Sequence, residues 1–257
     1  MNLKLPYLDV SAINGLAKNY YPLAYNTELK KILKAAYPNL SFDYLTKYEL
    51  HKLICDILSK RYNGEQMLKY KLFNLFKNKK LIGAFEINVK NSRADFLTIN
   101  GDTRSYEIKS ELDNLQKLKK QASDYIKAFE YNTVVIGSSH LQNAIEILPD
   151  NYGVWCFDTP TKEVFKDAKL NTYIDSEFQL LLLTKKEREA NFKINTGEVD
   201  VILKEFNEIQ INSNFKKALK ERYQKKWSFI VSNSEKILPF DLQFFFKKNI
   251  NPEIVYA

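Results

Sequence analysis

Three charged residues stand at a spacing that can hold a divalent cation. Asp95 lies in RADFLTI (93–99), and Glu107 and Lys109 lie in RSYEIKS (104–110). Both segments are short and rich in β-branched and aromatic residues, as strands are. Side chains alternate along a strand, so Glu107 and Lys109 share a face and Ile108 points to the other. Asn100-Gly101 between the segments is a hairpin signal that folds Asp95 beside Glu107. Two adjacent carboxylates repel each other and resist joint ionisation unless a cation lies between them. Mg2+ or Mn2+ suits such a place, because these ions take oxygen ligands and bind phosphate. Lys109 is then positioned to orient an attacking water and to offset the charge of a phosphoryl-transfer transition state.

The elements around these residues follow from periodicity. Residues 44–61 have helical spacing through Tyr44, Leu45, Tyr48, Leu53, Ile54, Ile57 and Leu58, with Asp43 as the expected N-cap. A second helix is expected over 66–78. GAFEINV (83–89), RADFLTI and RSYEIKS form a three-stranded antiparallel meander. Leu112, Leu115, Leu118, Ala122, Tyr125 and Ile126 predict a helix over 111–130. TVVIGSS (133–139) is a continuous apolar run typical of a strand buried on both faces. A short helix near 140–148 and a strand over 152–158 complete the order α-β-β-β-α-β-α-β. Residues 1–43 read as a mixed, partly helical lead-in. Beyond 159 the strand signal fades, and helices are expected over 174–192, 198–207 and 213–227. The Phe-rich piece Phe240 to Phe246 is expected to dock on the body. The expected divisions are therefore 1–43, 44–159 and 160–257.

Residues 44–158 resemble the PD-(D/E)XK nuclease superfamily. The motif reads Ser92-Arg93-Ala94-Asp95, then Glu107-Ile108-Lys109 on the next strand. The resemblance implies a restriction-endonuclease-like α/β core, with a mixed sheet flanked by helices and a mainly helical C-terminal part. It implies a Mg2+- or Mn2+-dependent phosphodiesterase in which Asp95, Glu107 and the carbonyl of Ile108 bind metal. Gln121 and Tyr125 are four apart and share a helical face. They resemble the Gln-x-x-x-Tyr motif of the RecB- and Cas4-type branch, where such residues position substrate near the metal. The first helix of these folds often supplies another ligand, here Glu49 or His51. The two are about 200° apart around a helix, so only one can face the site. The longer phrase from Glu86 through Tyr-Glu-Ile-Lys-Ser to Gln121 is similar to a bacterial family linked to mobile elements and phage defence. That similarity adds Glu86 to the site. Arg93 is a candidate phosphate contact.

Composition bounds these readings. The chain has 257 residues and a net charge of +8, and a basic surface favours a polyanionic partner. Residues 44–131 alone carry 17 basic and 11 acidic side chains. In the C-terminal part, residues 215–227 form a basic helix with two readings. It lies on a phosphate backbone, or it is a solvated face with Phe215, Leu219 and Tyr223 turned inward, and both can hold because the lysines are outside in either case. Two cysteines, Cys55 and Cys156, exclude a disulfide framework and suit a reducing cytoplasm. MNLKLPYLDV does not read as a signal peptide, because its apolar run is short and Asp9 interrupts it. No membrane partner is expected. No Gly-rich phosphate loop, zinc spacing or Ser-His-Asp arrangement stands in the chain. The expected partner is nucleic acid, with DNA ahead of RNA. A homodimer or a defence-system protein remains open as a further partner, as does a non-catalytic role as a nuclease-fold binding subunit.

Overall fold

Short polar residues decide where the N-terminal helices begin. Asp9 caps α1 (Val10–Asn19), its carboxylate accepting from Ala12 N at 2.7 Å. Helix α2 (Asn26–Ala36) opens with Glu28 folded back onto Tyr25 N at 2.8 Å. Helix α3 (Lys47–Arg61) starts at Thr46, not at Asp43. Thr46 Oγ1 accepts from Glu49 N, and Glu49 Oε2 accepts from Thr46 N at 2.8 Å. This reciprocal box satisfies two of the unpaired groups of a helix start. Asp43 instead accepts from Ser41 Oγ and pairs with Lys30. Helix α4 (Glu65–Phe76) follows.

The computed structural model describes residues 5–157 and 162–257 and divides into two compact units. The first holds the residues through Tyr70 together with Phe229–Ala257. Here the helices Leu242–Lys248 and Pro252–Tyr256 return to the N-terminal helices. Tyr20 donates to the buried Asp241 at 2.9 Å, and Tyr256 donates to the same oxygen at 2.7 Å. Phe240 packs edge-on against Tyr20. The Phe-rich tail thus docks as expected.

The second unit, Lys71–Ser228, is built on a six-stranded mixed sheet. Its strands are β1 (Ile82–Val89), β2 (Ser92–Asn100), β3 (Asp102–Lys109), β4 (Tyr131–Ile136), β5 (Gly153–Cys156) and β6 (Glu163–Lys166), in that spatial order. The first three form the expected antiparallel meander. Gly101 turns the second hairpin at φ 79°, a conformation that favours glycine. Strands β4 and β5 add in parallel, reached through α5 (Leu118–Tyr125) and α6 (Leu141–Ile147). One sheet face carries Phe85, Phe96 and Tyr106 against Phe76 and Trp227. On the other, Val134, Ile136 and Val154 are buried against Leu118, Ala122 and Ala144. The fold is mixed α/β with a helical C-terminal part, as the sequence predicts.

Several boundaries differ. The helix expected over 111–130 spans only Leu118–Tyr125, because Asp113 accepts from Ser110 N and Oγ in a tight turn. Such side-chain bonds compete with helix. The stretch 174–192 splits into α7 (Ser176–Leu181) and α8 (Lys185–Phe192), broken by a Thr184–Glu187 capping box. Helix α9 (Val199–Glu205) agrees with expectation, while α10 (Glu208–Ser232) is longer. Strand β6 was not expected: it has four residues, mostly exposed, too few for a periodic signal. The division near 160 falls on 158–161, outside the described residues, as do Asp158 of the expected fifth strand and residues 1–4. Helices α1, α2 and α3 lie in one compact unit. Among the described residues, no helix is long and apolar enough to cross a membrane.

Candidate active site

Strand register puts three acids in one row. Phe96 pairs with Tyr106, so the next positions, Asp95 and Glu107, lie opposite each other and share a face. Phe85 pairs with Phe96 and Ile87 with Ala94, which sets Glu86 opposite Asp95. The β2–β3 ladder ends at Phe96 and Tyr106, although both strands run on. Asp95 bridges the gap with its side chain: Oδ2 accepts from Ile108 N at 2.8 Å. The Ile108 side chain is buried on the opposite face.

Glu107 is the most enclosed member of the row, with a side chain 2% exposed. A carboxylate so buried is costly to ionise unless donors surround it. Lys109 Nζ donates to Oε1 at 2.7 Å, Gln121 Nε2 donates to Oε1 at 2.5 Å, and Tyr125 Oη donates to Oε2 at 2.7 Å. Burial pushes the Glu107 carboxyl above its usual range, while the Lys109 charge and the three donors pull the other way. Burial and then the Glu107 charge hold the Tyr125 phenol well above its usual value. Gln121 and Tyr125 reach this point because they lie one turn apart on α5. Asp124, one residue before Tyr125, ties that helix to β2 by accepting from Ser92 Oγ at 2.5 Å. Sequence reasoning missed Asp124, and the pairing of a small hydroxyl with an acid on a facing element leaves no local signal.

Glu86 stands in a strand with φ 58°, a left-handed conformation that costs a non-glycine residue on the order of 1–3 kcal/mol. Its carboxylate lies within 4.8 Å of that of Asp95, and Arg93 Nε is 2.5 Å from Glu86 Oε2. Glu86 and Asp95 oxygens this close suit a hard divalent cation, which takes oxygen ligands. Glu107, on the next strand, has about four acceptor positions for its three donors.

The remaining candidates have other tasks. Glu49 closes the capping box of α3 and lies in the unit that does not hold Asp95. His51 is fully buried in that same unit, with Nδ1 2.8 Å from Tyr20 Oη. Burial lowers its pKa to about 4. In α10, Phe215 and Leu219 are buried and Tyr223 is half-buried, so the expected inward stripe holds fully for the first two. Lys216 pairs with Glu130 at 2.8 Å and Arg222 with Glu187 at 2.6 Å, so part of the positive charge of this helix is balanced within the fold.

The fold and this row define a mixed α/β protein with a buried acid–lysine cluster at the point where two strands part. Residues 58–245 match the family model of bacteriophage P4 protein cII, and the chain belongs to that family. The chain is also similar to the solved structure of SPO1766, a protein of unknown function from Silicibacter pomeroyi. The identity is 17% over 40% of this chain and 69% of that one, with a TM-score of 0.30. No curated protein matches the chain.

Proposed function

We propose that this chain is a divalent-metal-dependent nuclease of the PD-(D/E)XK type that hydrolyses phosphodiester bonds in DNA. The observation that carries the reading is the row Glu86, Asp95 and Glu107 across three adjacent strands, with Lys109 Nζ 2.7 Å from Glu107. Asp95, Glu107 and Glu86 would hold Mg2+ or Mn2+ through carboxylate oxygens, and the Ile108 carbonyl is a further hard donor. The ion supplies charge neutralisation at the phosphate and a lower pKa for water. Lys109 presents a compact ammonium beside the carboxylates, where it can hydrogen-bond an attacking water or a phosphoryl oxygen as charge develops. Tyr125 and Gln121 keep Glu107 in one rotamer and favour its charged form through charge-assisted bonds.

The test is nicking of supercoiled plasmid in Mg2+ and in Mn2+, beside a gel-shift titration in Ca2+. Lys109→Ala should lower turnover by about 10²–10³, the range seen when one transition-state donor is removed, and leave binding nearly intact. Lys109→Arg should not restore turnover, because the planar fork does not replace a compact ammonium. Wild-type protein that cleaves no better than Lys109→Ala in either metal, on DNA or RNA, ends the enzyme reading and leaves a binding subunit.

A further inference from the structure

The pair Glu86–Arg93 joins a buried acid to an exposed base. The Glu86 side chain is 4% exposed, and Arg93, 58% exposed, reaches in to place Nε 2.5 Å from Glu86 Oε2. Arg93 and Asp95 are two apart on β2 and so share a face. One guanidinium is therefore ion-paired with a carboxylate that lies within 4.8 Å of a second one. A divalent cation seeks the same oxygens with twice the charge and displaces other donors from them. An arginine fork, for its part, matches a phosphate with two parallel hydrogen bonds.

We propose, resting on the nuclease reading of this site, that Arg93 is an exchangeable cation. It pairs with Glu86 until a divalent metal takes that carboxylate, and the released guanidinium then binds a substrate phosphate. Metal loading and phosphate binding are thereby coupled, and the coupling is reciprocal. Lys109 differs, since its side chain is itself 12% exposed and pairs with Glu107, which is 2% exposed.

The experiment uses the full chain as wild type, Arg93→Ala, Arg93→Lys and Asp95→Ala. Mn2+ binding is read by calorimetry and by the electron paramagnetic resonance of free Mn2+, and DNA binding by gel shift with and without Ca2+. Arg93 is mostly exposed, so its substitutions spare the fold. Arg93→Ala should bind Mn2+ about three- to tenfold more tightly, because a competing ion pair is gone. Its DNA affinity should fall about fivefold with Ca2+ and less than twofold without it. Arg93→Lys should keep Mn2+ affinity near wild type and lose the Ca2+-dependent DNA contact. Unchanged or weaker Mn2+ binding by Arg93→Ala, or an equal DNA loss with and without Ca2+, overturns the exchange and leaves the metal site standing. A wild-type chain that binds no Mn2+, or binds it no better than Asp95→Ala, overturns both the exchange and the nuclease reading.

Discussion

Replacing Tyr125 by Phe removes one hydroxyl from the buried end of the candidate site and leaves the ring packing in place. In the wild type that hydroxyl donates to Glu107 Oε2 at 2.7 Å, and both residues are buried. A hydrogen bond to a charged group contributes about 1.5–3 kcal/mol, against about 0.5–1.5 kcal/mol for a neutral one. The structure holds its own control. Tyr152, buried in the core beside α5, donates to the neutral carbonyl of Ala122 at 3.0 Å. Tyr125→Phe should therefore destabilise by about 1 kcal/mol or more beyond Tyr152→Phe at neutral pH. The assay is urea unfolding followed by tryptophan fluorescence. Trp155 and Trp227 are the only tryptophans and both lie in the Lys71–Ser228 unit, so the signal reports on the unit that holds the site. Burial raises the Glu107 pKa, so lowering the pH protonates it early and should shrink the difference between the two variants. Equal losses for the two substitutions at neutral and at acid pH would refute an ionised Glu107 held by Tyr125.

Other outcomes follow from the same contacts. Asp241 is fully buried and its carboxyl is raised from 3.8 to about 7 by burial, so its stabilising share is complete below pH 3.8 and lost as pH rises through 7. Asp241→Asn should remove a fall of the order of 4 kcal/mol between those limits, read by hydrogen exchange in the unit containing Tyr20 and Tyr256. His51 runs the opposite way: its share is present above 6.5 and lost as pH falls through about 4, so His51→Gln should flatten the acid side of the same profile. Glu49→Ala should lower the melting temperature through loss of the capping box while Mn2+ affinity stays at the wild-type value; weaker Mn2+ binding would return Glu49 to the ligand set. Gly83→Ala should cost about 1–3 kcal/mol and shift the fluorescence of Trp227, because the added methyl runs into the indole ring; an unchanged spectrum would refute that contact.

What the sequence determined by itself is local. Alternation over Glu107-Ile108-Lys109 and the turn at Gly101 depend on neighbours a few residues apart, as does the shared face of Gln121 and Tyr125, and each is legible without coordinates. The Thr46–Glu49 and Thr184–Glu187 boxes were equally local, but stronger signals nearby, Asp43 in one case and continuous helical spacing in the other, masked them. Tertiary structure decided the rest. The row of Glu86, Asp95 and Glu107 needs the register of three strands. Glu86 takes its left-handed conformation between neighbours that are both paired to β2. Glu49 and His51 stood as alternative ligands on one helix; in the fold Glu49 closes the capping box of that helix and His51 is buried against Tyr20. The bond from Tyr20 to Asp241 joins residues 221 apart. No local pattern encodes such a pairing, because it is chosen by which apolar faces and buried donors find each other once the chain has collapsed, not by spacing along the chain.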